Sequence, residues 1–117
     1  MAIIETKAFS YAVRNDATSV AATVTIGDGQ AGSWAIALGR TVIAKGRQPK
    51  RVRIGIGSDL LGKSMTVSTN VRDLNPNTNR LSVTTTLQGG VTEKECTHSR
   101  NGRQGESALF TSIVFFR

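Results

Sequence analysis

Apolar side chains alternate with Ser, Thr and charged side chains along nearly the whole chain, at the two-residue period of a β-strand. The clearest stripes are residues 20–26, 65–71 and 81–87. Gly, Asn, Asp and Pro interrupt the alternation at intervals of roughly ten residues, as turns do. Residues 58–62 are the one segment compatible with a helical turn, which Ser58 would cap, or with a plain loop. The pattern predicts an all-β fold.

The length and composition narrow this fold class further. The chain has 117 residues, of which 38 % are hydrophobic and 20 % charged, enough apolar material for one core and too little charge for a disordered chain. We therefore expect residues 1–117 to form a single domain. About seven to nine strands of this length are typical of a two-layer antiparallel β-sandwich, immunoglobulin-like or jelly-roll-like. A small β-barrel is the alternative.

Three turn regions give expectations about strand pairing. Residues 65–71 and 81–87 are interpreted as a long hairpin closed by the loop 74–79. Residues 91–98, polar on both faces, are expected to form an edge strand and to pair with residues 108–116 in a last hairpin. The glycine-rich segment 27–32 has a G-x-G-x-x-G spacing, but it leads into a strand rather than a helix, so we interpret it as a hairpin turn.

The C-terminal strand is apolar on both faces. Its even-numbered positions and its odd-numbered positions each carry large apolar side chains, so one face exceeds what the core of an isolated sandwich needs. One set, Phe110, Val114 and Phe116, is assigned to the core. The other set is predicted to form an interface in a homo-oligomer: Leu109, Ile113 and Phe115.

A basic segment is the strongest hint of a ligand. The chain carries 15 Lys and Arg against 8 Asp and Glu, a net charge of +7, which attracts anionic partners. Five of the cations fall within nine residues, with Arg40 and Lys63 near them in the sequence: Lys45, Arg47, Lys50, Arg51 and Arg53. Arg and Lys side chains bind phosphate oxygens, so these five residues are the candidate nucleic-acid-binding residues, with RNA as one possible ligand. The alternative is a solvated basic edge that discourages strand-on-strand aggregation.

Residues able to carry catalysis or hold a metal are sparse. Cys96 and His98 are the only cysteine and histidine, and as alternate residues of one strand their side chains could touch. The segment 73–79 places oxygen ligands at alternate positions, as the start of a calcium loop does, but lacks the later ligands. We interpret it as an Asx/Pro turn. No catalytic residue, metal site or cofactor is therefore predicted, and a small-molecule ligand is not expected.

Carbohydrate binding is a further alternative, through the Asn-rich loop 75–79 and Trp34. Trp34, however, lies on an apolar stripe and is assigned to the core. The chain shows no signal-peptide pattern and no apolar run long enough to span a bilayer, so no membrane contact is expected. A cytoplasmic location, or one within an assembled particle, is predicted.

These observations rank three hypotheses. The first is a non-catalytic structural or interaction domain that self-associates, as subunits of phage particles or bacterial assemblies do. The second is a basic protein that contacts nucleic-acid phosphates through residues 45–53. The third is a carbohydrate-binding module.

Overall fold

The computed structural model describes residues 3–117, which form nine strands and one short helix in two sheets. The order along the chain is β1 (Ile3–Tyr11), β2 (Ser19–Ile26), β3 (Ala31–Leu38), β4 (Thr41–Gly46), β5 (Arg51–Ile56), α1 (Gly57–Leu60), β6 (Ser64–Arg72), β7 (Arg80–Gln88), β8 (Lys94–Asn101) and β9 (Ser107–Phe116). The predicted all-β sandwich is confirmed. The described strands do not close into the barrel that was the alternative.

One sheet has five strands in the order β1-β9-β6-β3-β4, and the other has four in the order β5-β2-β7-β8. The pairing of β1 with β9 is parallel, and the other strand pairs are antiparallel. The inward stripes of both sheets form one core cluster, which includes Ile36, Met65, Leu81 and Phe110. The alternation in the sequence therefore has its expected cause, a sheet with one face on the core.

Three expected hairpins are wrong. Strands β6 and β7, predicted to pair, lie in opposite sheets, and so do β8 and β9. The segment 27–32 likewise connects β2 in the four-stranded sheet to β3 in the five-stranded sheet. A two-residue stripe shows which face of a strand is buried but not which strand lies beside it. The consecutive strands that do pair as hairpins are β3 with β4 and β7 with β8.

The helical turn at residues 57–60 is present, but Ser58 does not cap it. The N-cap position is Ile56, and no side chain makes a capping hydrogen bond there. Leu60 at the end of this turn is 1 % exposed and belongs to the core cluster. Burial of Leu60, rather than a polar cap, therefore accounts for the position of this turn.

Candidate functional site

The outer face of the five-stranded sheet is its most unusual surface. In β9 the even-numbered residues from Ala108 to Phe116 are buried, so the odd-numbered ones point outward. The registers with β1, β6 and β3 extend this face across three more strands. Apart from the terminal row of Ala31, Arg72 and Ser107, its outward positions are Ile4, Thr6, Ala8 and Ser10 on β1, Leu109, Thr111, Ile113 and Phe115 on β9, Ser64, Thr66, Ser68 and Asn70 on β6, and Ser33, Ala35 and Ala37 on β3.

None of these positions, within the described residues 3–117, carries a charge. The chain as a whole is 20 % charged, so a sheet face of this size without a charge departs from its average surface. Several of its apolar side chains are well exposed: Ile4 is 72 % exposed, Phe115 46 % and Leu109 39 %. We call this surface the uncharged face.

The predicted interface residues lie in the middle of the uncharged face. Leu109 pairs with Ile4 on one side and with Asn70 on the other, and Phe115 pairs with Ser10 and Ser64. Ile113, between Ala8 and Thr66, is half-buried by its neighbours. The strand is thus central in its sheet, and no other part of the described chain covers Leu109 and Phe115 from outside.

Two cations adjoin the uncharged face on either side of the first half of β3. Lys45 on β4 pairs with Ala35, and Arg72 at the end of β6 pairs with Ala31. Arg47 follows β4 and lines three neighbouring depressions of about 430, 410 and 270 Å³. Asn70 and Ser33 contribute polar groups to the two larger depressions. We call these three depressions, which share Arg47, the Arg47 groove.

The Arg47 groove is electropositive and has no acidic lining residue in the described part of the chain. The ion pairs found among residues 3–117 involve Arg80, His98 and Arg100, so the charges of Lys45, Arg47 and Arg72 are not neutralised by a carboxylate. The residue that the sequence analysis missed here is Arg72. Its signal was its outward position at the end of the β6 stripe, but only the register brings it next to β3.

The five predicted nucleic-acid-binding residues do not share one surface. Lys45 and Arg47 line the groove, and Lys50 lies exposed in the loop between β4 and β5. Arg51 and Arg53 project from β5 on the outer face of the four-stranded sheet, where Arg53 Nε donates a hydrogen bond to Ser19 Oγ at 3.1 Å. The cluster in the sequence is therefore divided between the two faces of the sandwich, because β4 and β5 belong to different sheets.

The indole of Trp34 lies beneath the groove and is 2 % exposed. Its Nε1 donates to the carbonyl of Gln48 at 3.1 Å, which anchors the loop between β4 and β5. Gly46 covers the ring, since a Cβ at that position would lie 2.8 Å from Trp34 Cζ2. The assignment of Trp34 to the core is therefore correct, and its ring is not available for stacking on a ligand.

His98 has partners that the sequence analysis did not anticipate. Its Nδ1 lies 2.8 Å from Glu5 Oε1, and its Nε2 lies 2.9 Å from Ser112 Oγ. Cys96 Sγ lies 3.8 Å from the same Ser112 hydroxyl. Cys96 and His98, both on β8, thus contact a residue of β9 in the opposite sheet. Burial alone would raise the pKa of Glu5. Hydrogen bonds from His98 and Arg100 lower it by more than burial raises it, so the pKa of Glu5 is lowered overall.

Ser112, His98 and Glu5 have the hydrogen-bond order of a nucleophile, base and acid triad. Ser112, however, is 2 % exposed and His98 1 % exposed, both inside the sandwich. Strand β9 is paired on both sides, by β1 and β6, so its backbone N–H groups serve the sheet ladders and are not free to stabilise an oxyanion. The arrangement acts as a buried polar network between the sheets.

The oxygen-rich loop 73–79 is occupied by internal hydrogen bonds. Asn75 Oδ1 accepts from the N–H of Asn77 at 3.0 Å, and Asn75 Nδ2 donates to the carbonyl of Asp28 at 2.9 Å. The first of these is the side-chain bond of an Asx turn. Within residues 3–117 no three His, Cys, Asp or Glu side chains come together as metal ligands.

Comparison with protein-family models, curated proteins and solved structures finds no match to this chain. No helix among residues 3–117 is long and apolar enough to cross a membrane. The uncharged face and the Arg47 groove are thus the two surfaces from which a function can be inferred.

Proposed function

We propose that the protein is a non-catalytic structural subunit that self-associates through the uncharged face. The observation that carries this proposal is the lack of charge across the outward positions of four adjacent strands as far as the terminal row that holds Arg72, with Ile4, Leu109 and Phe115 exposed among them. Covering this apolar surface releases water from it, and the gain in free energy is roughly 25 cal/mol per Å² of apolar area buried.

A second copy of the chain is the partner that the charges favour. Two molecules that each carry a net charge of +7 repel one another, and the repulsion is smallest where the approaching surfaces hold no cations. An acidic partner, in contrast, would be drawn to the cationic surfaces elsewhere on the molecule. The Ala, Ser and Thr side chains that separate the larger residues also allow two sheets to pack face to face, at about 10 Å.

The polar network around His98 supports a role without catalysis. A substrate would have to reach a hydroxyl on Ser112 that is 2 % exposed, on the central β9 of a complete sheet. A subunit of a phage particle or of another assembly, in the cytoplasm or in the assembled particle, is the proposed type of protein. It needs a stable sandwich and an association surface rather than an active site.

The test is the molar mass in solution, measured by light scattering from micromolar to hundreds of micromolar protein. We expect the wild-type mass to rise above that of a monomer with concentration. Phe115→Arg places a cation on the uncharged face and is expected to keep the protein monomeric. The matched control, Thr25→Arg, adds the same charge to the exposed outer face of the four-stranded sheet and is expected to associate as the wild type does.

A wild-type protein that stays monomeric at every concentration would refute the proposal. Equal loss of association in Phe115→Arg and Thr25→Arg would also refute it, since net charge rather than this face would then control assembly. Circular dichroism and thermal unfolding verify that each variant is folded before its mass is interpreted.

A further inference from the structure

The Arg47 groove combines three unpaired cations with uncharged hydrogen-bond donors. Lys45, Arg47 and Arg72 supply the cations, while Asn70 and Ser33 supply an amide and a hydroxyl. These are the groups that contact phosphate oxygens in protein–nucleic acid complexes. The planar guanidinium groups of Arg47 and Arg72 each offer a fork of N–H donors that matches two phosphate oxygens.

The cations are spread along the groove rather than gathered at one point. Arg72 pairs with Ala31 and Lys45 pairs with Ala35, four residues apart on β3, or roughly 13 Å at the rise of a β-strand. Arg47 lines all three depressions between them. The spacing suits a chain that carries a negative charge at each repeat.

We propose that the Arg47 groove binds a strand of nucleic acid through its phosphates, without reading its sequence. Single-strand binders that hold the bases stack them on exposed aromatic rings. The one ring beneath this groove, Trp34, is buried under Gly46 and bonded to the carbonyl of Gln48. Contact is therefore limited to the phosphates and sugars, with exposed Leu109 and Leu74 as apolar neighbours.

This site differs from the one suggested by the basic segment of the sequence. It gains Arg72 and loses Arg51 and Arg53, which project from the opposite face of the sandwich. It also overlaps one end of the uncharged face, since Ser68, Asn70 and Leu109 belong to both surfaces. Phe115 is six residues from Leu109 along β9, or about 20 Å, so the Phe115 end of the uncharged face lies outside the groove. A second copy that covers Leu109 would compete with a strand bound in the groove.

The experiment measures binding of a fluorescently labelled single-stranded oligonucleotide of mixed sequence by anisotropy, over a range of salt concentrations. Three phosphate contacts predict that log K falls with log salt with a slope of about −2 for a single strand. Arg47→Gln and Arg72→Gln are each expected to weaken binding about tenfold at low salt and to reduce the slope by about 0.7.

Arg51→Gln is the matched control, because it removes the same charge from the other face of the sandwich. We expect its affinity to stay within about twofold of the wild type and its salt slope to equal that of the wild type within experimental error. If Arg51→Gln loses as much affinity as Arg47→Gln, diffuse net charge explains binding and the groove is not the site. If no oligonucleotide binds, the proposal fails outright.

Heparin, a sulfated polysaccharide, tests whether the groove binds the phosphates of nucleic acid or the sulfate groups of a sugar chain. The proposal requires the oligonucleotide to compete with heparin at comparable concentrations of anionic groups. If heparin binds much more tightly, and with the same dependence on Arg47, the groove is a sulfated-sugar site and the nucleic-acid assignment is overturned. Light scattering on Arg47→Gln separates this test from the self-association proposal, because that variant leaves the uncharged face intact.

Discussion

His98 Nδ1 lies 2.8 Å from Glu5 Oε1, and this contact joins the free edge of one sheet to the free edge of the other. Glu5 is on β1, the edge of the five-stranded sheet, and His98 is on β8, the edge of the four-stranded sheet. Lys7 Nζ adds a bond to the carbonyl of Thr97 at 2.7 Å along the same seam. Side chains therefore close this side of the sandwich where no backbone ladder does.

Acid is expected to weaken the seam through Glu5. The pKa of Glu5 is lowered in the folded protein from its ordinary 4.5, because its hydrogen bonds with His98 and Arg100 outweigh the effect of burial. Its contribution to stability is thus present above the unfolded pKa and is lost as the pH falls through the folded pKa. Glu5→Gln removes this contribution, so its free energy of unfolding should decline less than that of the wild type below about pH 4.5.

Urea unfolding at neutral pH and at about pH 3 measures this difference. Glu93→Gln is the control, since it removes the same charge from an exposed residue beyond the seam. An acid-induced loss in Glu5→Gln equal to that of the wild type would show that Glu5 does not contribute to the pH dependence.

Gln30 holds the loop that carries the chain from β6 to β7. Its Oε1 accepts hydrogen bonds from the N–H groups of Leu74 and Asn75, both at 2.8 Å. Its Nε2 lies within 3.0–3.2 Å of Asp73 Oδ1 and of the carbonyls of Thr78 and Arg80. Gln30→Ala leaves these groups without their partner at a site that is 9 % exposed, and should destabilise the protein by about 2–4 kcal/mol.

Chemical denaturation measures the loss, and Gln104→Ala in an exposed loop is the control, with a change expected within about 0.5 kcal/mol. A loss below about 1 kcal/mol for Gln30→Ala would mean that water replaces the amide at little cost.

The hydroxyl of Tyr11 fastens the end of β1 to the loop after β7. It donates to the carbonyl of Thr92 at 2.7 Å and accepts from the N–H of Gly90 at 3.0 Å, and burial raises the pKa of this phenol. Tyr11→Phe keeps the buried ring and removes both bonds, so we expect a loss of about 1–2 kcal/mol in the free energy of unfolding.

Ser10→Ala removes a hydroxyl from the outward face of the same strand and is the control, expected within about 0.5 kcal/mol of the wild type. Equal stability of Tyr11→Phe and the wild type, measured by thermal and urea unfolding, would contradict the assigned role.

The strands themselves were predictable because each carries its own signal. The stripes at 20–26, 65–71 and 81–87 correspond to β2, β6 and β7, and the two-sided apolar strand is β9. The short strand β4 lies at the edge of its sheet. Burial of one face determines this alternation, and it leaves the same pattern whichever sheet the strand joins.

The candidate site was predictable only in part. Lys45, Arg47, Leu109 and Phe115 could be selected from the sequence because their neighbours along the chain set them apart. Arg72 could not, since its place beside β3 depends on the register of two strands that are distant in sequence. The separation of Arg51 from Arg47 also depends on the fold, because the chain changes sheets between them.

The period-2 alternation by itself determined that this chain is built of strands with one buried face and that the last strand carries an apolar excess. It did so because the buried face of each strand requires apolar residues at alternate positions of that strand alone. Only the tertiary structure decided which strands pair, that the uncharged parts of four strand faces adjoin, and that Glu5 meets His98 across the seam. Those relationships join residues that are far apart in the chain, and the sequence around one residue does not identify a contact partner that is distant in sequence.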